Sequence, residues 1–223
     1  MLQIHNLHLA IGNKSILKGV EASFEKGKVY GILGKNGAGK TTFFRTLFGF
    51  YHAQQGNISY QDGHLEKNKM SFLETENYLY PYMRGIEYLL LIKKDEQQIE
   101  KWNRIFDLPL QQLTQEYSTG MKKKLAFMGV LIQDREIMLL DEPFNGVDLE
   151  SNEKIISIIN QLKGYKTLLV SSHILSTLSE ISDHIFVMDE GQFVERIDEA
   201  NFPGFEMQLK KDIQNTIDDL LQS

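Results

Sequence analysis

A mainly parallel α/β sheet with an antiparallel β flank is the fold class that three features of the sequence predict. Short apolar runs alternate with helical-period segments along most of the chain, as in a parallel sheet covered by helices on both faces. One such run, 29–33, leads into a glycine-rich loop and then a helix. Another, 137–140, ends on Asp141 and Glu142, at the strand end where open sheets of this class bind ligands.

Taken in order, residues 2–9 alternate polar and apolar as a half-buried strand does. Residues 16–24 read as a second strand across the turn residues Gly12 and Asn13, which gives the antiparallel flank. A helix is expected at about 40–48 after the glycine-rich loop, and short strands recur at 56–60 and 70–73. Segments 85–94 and 98–106 carry apolar residues at helical spacing, and a further helix runs from Ser118 to about 133. An inserted helical subdomain is therefore expected over about 77–133. Strand 137–140, helix 151–162, strand 167–171, a helix from Ile174 and strands at 184–188 and 192–196 complete a main domain of residues 1–200. Residues 201–223 form a C-terminal tail, in which 209–221 reads as an amphipathic helix.

Composition narrows the function classes. The 24 basic and 30 acidic residues leave a net charge of −6, with the acids scattered along the chain, so no nucleic-acid partner is expected. Apolar runs such as 88–92 fall well short of the roughly 20 residues of a membrane span. The first ten residues lack the basic-then-apolar plan of a signal peptide. A cytoplasmic chain that does not itself cross a membrane is expected. With no cysteine in the sequence, disulfides and cysteine-ligated metals are excluded, and the six histidines show no metal-ligand spacing.

The loop carries chemistry. Gly34, Gly39, Lys40 and Thr41 satisfy the spacing G, four residues, G-K-[ST], between a strand and a helix, which is the context that pattern requires. Gly34, Gly37 and Gly39 let backbone N–H groups turn inward on a phosphate, and the helix that follows adds its N-terminal dipole. Lys40 is suited to the β and γ phosphates and Thr41 to Mg²⁺. Kinases, GTPases and motor ATPases share this loop. At the acidic strand end Asp141 suits the Mg²⁺ shell, which leaves Glu142 free to polarise an attacking water.

Three further segments extend the pattern. Residues 117–125 open with Ser118 and Gly120 at a helix start, a common cap when taken alone. Residues 146–148 follow the acidic strand, and 171–173 end the next strand on His173. Together with the loop and the acidic strand end, these resemble the nucleotide-binding subunits of ABC (ATP-binding cassette) transporters over roughly residues 2–197. Residues 117–125 are similar to the family signature, 146–148 to its D-loop, and His173 to its switch histidine.

The resemblance implies a P-loop NTPase core and Mg²⁺-dependent ATP hydrolysis. ATP would be held by Gly34, Asn36, Gly37, Ala38, Gly39, Lys40, Thr41 and Thr42, and Mg²⁺ by Thr41 and Asp141. Catalysis would fall to Glu142 as general base, with His173 and Lys40. Ser118 and Gly120 would meet the γ-phosphate of a second copy, or a paralogous subunit, in a head-to-tail dimer, and Asp148 would link the two sites. A transmembrane permease is the implied partner, with the chain peripheral on the inner face of the cell membrane. A soluble ABC ATPase without membrane partner is the alternative. A different P-loop class would leave 117–125 and His173 unexplained, and the guanine-reading N-K-x-D motif of a GTPase is absent.

Three positions depart from the family. Thr75 stands where a glutamine is usual and is too short to bridge metal, water and partner, so Glu74, Glu76 or a water is expected in that role. Ile11 stands at the base-stacking aromatic and would cover adenine without stacking, which loosens base discrimination. Met121 replaces the usual signature glutamine, and with Lys122 to Lys124 it resembles export-type members. Those three lysines read as a solvated helix face.

Overall fold

The computed structural model describes residues 1–61 and 63–222. Its elements run β1 (Leu2–Ile11), β2 (Lys14–Phe24), β3 (Val29–Leu33), α1 (Lys40–Leu47), β4 (Gln55–Tyr60), β5 (Gly63–His64) and β6 (Met70–Leu73). There follow α2 (Gly85–Ile92), α3 (Glu96–Phe106), α4 (Thr119–Gln133), β7 (Ile137–Asp141), α5 (Leu149–Leu162) and β8 (Thr167–Ser172). The chain finishes with α6 (Leu175–Ile181), β9 (His184–Asp189), β10 (Gln192–Asp198) and α7 (Phe202–Gln222).

Two sheets form. The larger has the order β10-β9-β3-β8-β7-β6 and is parallel except for the terminal β9–β10 hairpin. The smaller, β2-β1-β4-β5, is antiparallel throughout. Residues 56–60 thus pair with the N-terminal flank and not with the central sheet.

Alternation along the central strands sorts their side chains between two cores. Tyr30 and Ile32 of β3, Ile137 and Leu139 of β7, and Leu169 of β8 face α1 and the antiparallel sheet, where Phe24, Phe43 and Phe44 close the layer. Val29, Leu33, Met138, Leu140, Leu168 and Val170 face the opposite way, onto α4, α5 and α6. A strand buried on both faces reads as a continuous apolar run, which is how β3, β7 and β8 appear in sequence.

Helices α2, α3 and α4 pack on one another through Leu89, Ile99, Phe106 and Phe127. Asp95 caps α3 by accepting from the Gln98 N–H, and the Ser118 hydroxyl caps α4 by accepting from the Met121 N–H at 3.2 Å. Helix α4 is buried continuously from Leu125 to Ile132. No helix among the described residues is long and apolar enough to cross a membrane.

Candidate functional site

The C-terminal ends of β3, β7 and β8 deliver the loop, the two acidic residues and His173 to one edge of the sheet. There they border a cleft of about 470 Å³ lined in part by Asn36, Gly37, Gly39, Lys40, Thr41 and Thr42. Gly39 has φ +110° at the start of α1, a conformation open to glycine and strained for other residues. A Cβ on Gly34 would lie 2.5 Å from the Met188 carbonyl oxygen, so the loop packs against β9 only because Gly34 has none. Ala38 sits behind the cleft, with its carbonyl accepting from the Gly191 N–H at 2.9 Å.

Lys40 is buried, and its ammonium donates to the Gly34 carbonyl at 2.6 Å and lies 3.3 Å from Glu142 Oε1. His173 Nδ1 stands 3.1 and 3.2 Å from the two Glu142 oxygens. One carboxylate therefore bridges a lysine of the loop and a histidine of the neighbouring strand end. Glu142 holds this position with φ +48°, a left-handed conformation rare for a side chain of this kind and concentrated at functional sites.

Asp141 is fully buried and accepts three hydroxyls. Thr41 and Thr75 each donate to Oδ2 at 2.6 Å, and Ser171 donates to Oδ1 at 2.5 Å. Ser171 Oγ also accepts the Glu142 N–H at 3.0 Å, so it ties both acidic residues to β8. The donors gathered here are all oxygens around one carboxylate, the chemistry that Mg²⁺ requires.

Ser118, Gly120 and Asp148 lie outside the cleft lining. Ser118 is exposed at the start of α4. Gly120 abuts the next segment closely enough that a Cβ would approach the Gly146 carbonyl at 3.1 Å. Asp148 caps α5, accepting from the Ser151 N–H at 2.9 Å and its hydroxyl at 2.8 Å, and these bonds hold its carboxyl below the ordinary carboxylate range.

Three expectations change. Thr75 reaches Asp141 directly, while Glu74 is held by Arg45 at 2.9 Å, so Glu74 does not stand in for the missing glutamine. Lys14 and Ile16 line the cleft and Ile11 does not: Ile11 sits at the exposed end of β1, paired with Lys14 across the turn. Lys122 to Lys124 are not a solvated face, because Lys123 is 3% exposed and points into the protein. Burial pulls its ammonium down to about 8, against the pull of Asp141 and Glu142. Lys123 and Ser171 lie inside the segments 117–125 and 171–173 but carry no spacing signal of their own, and Asn145 is marked only by its place between Glu142 and Gly146.

Fold and site together define a phosphate-loop nucleotide-binding domain, with a lysine, a metal-suited carboxylate and a second carboxylate converging on one cleft. The ABC transporter family model matches residues 17–145, and the chain belongs to that family as an ATP-binding domain. The bacitracin transport ATP-binding protein BcrA of Enterococcus faecalis is 30% identical over 213 residues, covering 88% of this chain and 69% of that protein. The lantibiotic transport ATP-binding protein SrtF of Streptococcus pyogenes is 29% identical over 208 residues, covering 87% and 89%. Among solved structures, an ATP-binding subunit of an ABC transporter superposes with a TM-score of 0.82 at 23% identity over 89% of this chain and 90% of that one. A dimeric cassette in a post-hydrolysis state bound to ADP and Pi gives 0.79 at 17% identity, over 89% and 99%. At these identities the structures establish the shared fold. Nucleotide binding and ATP hydrolysis are general to the family.

Proposed function

We propose that this chain is the ATP-hydrolysing subunit of a transporter, peripheral on the inner face of the cell membrane, coupled to a separate transmembrane permease and working in export. Residues 1–200 form the cassette, 77–133 its helical subdomain and 201–223 a tail. The observation that carries the reading is the bridge from Lys40 to Glu142 to His173, beside Asp141.

In this reading the loop amides and Lys40 bind the phosphates, and Thr41 and Asp141 hold Mg²⁺, which when bound offsets the phosphate charge. Glu142 accepts a proton from the attacking water, and His173, hydrogen-bonded to it, orients it toward the γ-phosphate. Ser118 is exposed at the head of α4, free to meet the nucleotide of a second copy or a paralogous subunit. A head-to-tail pair is favoured because Ser118, Gly120 and Asp148 lie outside their own chain's cleft. Export is favoured by Met121 with the lysines after it, and by relatives named for bacitracin and lantibiotic transport and for linearmycin resistance.

Steady-state ATP turnover with Mg²⁺ tests the chemistry. Glu142→Gln is expected to lower turnover about 100-fold or more with ATP binding retained. Turnover within a few-fold of wild type would remove Glu142 as the base.

A further inference from the structure

Lys123 is a buried cation that the proposed mechanism does not use. Its ammonium donates to two successive backbone carbonyls, of Glu74 at 3.1 Å and of Thr75 at 2.9 Å. Among the described residues no carboxylate lies within 4 Å of it. A lysine taken out of water without a contacting carboxylate is costly, and the same position would pack a neutral side chain of similar length more cheaply. The two carbonyls it clamps belong to the segment after β6 that presents Thr75 to Asp141.

Geometry makes the clamp consequential. A threonine hydroxyl sits one bond from Cβ, so its reach is set almost wholly by where the backbone stands. A backbone shift of about 1 Å would carry the 2.6 Å bond from Thr75 to Asp141 beyond hydrogen-bonding range. Longer side chains can follow such a shift, whereas threonine cannot. Lys123 also lies little more than one helical turn along α4 from Ser118, so one rigid helix carries both the exposed cap and the clamp.

We infer that Lys123 is a positioning residue for the Mg²⁺ site, acting through the Glu74 and Thr75 carbonyls to hold the Thr75 hydroxyl on Asp141. The inference rests on the functional reading above. Partners in the outer shell of a metal site are typically worth about 10–100-fold in metal affinity.

The test is the chain's affinity for a non-hydrolysable ATP analogue, measured with and without Mg²⁺. Lys123→Met is expected to cut the Mg²⁺-dependent gain about tenfold or more while leaving metal-free affinity unchanged, and Thr75→Ala, at the site itself, is expected to cut the same gain. The double variant is expected to be no worse than either single one, because both break the same connection. Lys123→Gln, whose amide nitrogen stands one bond short of the lysine ammonium and can reach at most one of the two carbonyls, is expected to recover only part of the gain. Lys123→Arg keeps the buried charge but overreaches the carbonyls, so it is expected to fold and to lose the gain. An intact gain in Lys123→Met or Lys123→Arg, or losses that multiply in the double variant, overturns the assignment. A wild type with no Mg²⁺-dependent gain overturns the functional reading along with it, so the two failures are distinct.

Discussion

Two buried serines on neighbouring parts of the sheet give the sharpest test of how the acidic strand end is held. Ser171 is fully buried on β8, donating to Asp141 at 2.5 Å and accepting from the Glu142 N–H at 3.0 Å. Ser171→Ala removes one hydrogen bond to a charged group and strands one buried N–H. These losses together cost about 3–4 kcal/mol. For a domain of this size that lowers Tm by roughly 6–16 °C. Ser71 on β6 is equally buried, but its hydroxyl has no hydrogen-bond partner among the described residues. Ser71→Ala removes an unsatisfied polar group and is expected to be neutral or stabilising. Differential scanning calorimetry of the two variants against wild type measures both. A Ser171→Ala cost below about 1 kcal/mol, or equal losses in the two variants, would refute the reasoning.

Other expectations follow from the same geometry. Gly34→Ala places a Cβ against the Met188 carbonyl, so it should destabilise the fold and weaken ATP binding together, as thermal melting and nucleotide titration would record. Burial alone would raise the Asp183 carboxyl, but the Val29 N–H, Lys163 and Lys28 outweigh it and hold the group below its usual range. A depressed folded pKa contributes stability that is present above the unfolded value, near 3.9, and is lost as pH falls through the folded one. The stability gap between wild type and Asp183→Asn should therefore narrow below about pH 4 in denaturant titrations. Because Lys14 and Ile16 line the cleft without an aromatic ring, GTP should compete with ATP within about tenfold in a displacement assay, and a preference above about 100-fold would contradict this.

Much of this architecture was legible in residue order, because strands buried on both faces and helices with one apolar stripe leave one-dimensional signatures. The runs at β3, β7 and β8 and the cap at Ser118 were of that kind. The loop and the acidic strand end were equally plain, since their chemistry depends on residues close in sequence. What stayed hidden depends on contacts across the chain. Residues 56–60 look like any short strand, and only the pairing of Leu2 with Tyr60 assigns them to the flank. Three consecutive lysines read as solvent-facing, yet α4 is enclosed so fully that the middle one has to point inward. Ser171 resembles an ordinary strand residue until β7 is laid beside β8, with Asp141 opposite it in register. The left-handed backbone of Glu142 likewise has no signature in composition, because the strain is borne by the hydrogen bonds around it.

In the proposed function each cleft is half of a composite site completed by Ser118 and Gly120 of a second chain. The direct measurement is the mass in solution, by size-exclusion chromatography with light scattering, of the Glu142→Gln variant with Mg-ATP. A dimer with ATP and a monomer without it is the expected result. A monomer that demonstrably holds ATP would contradict it.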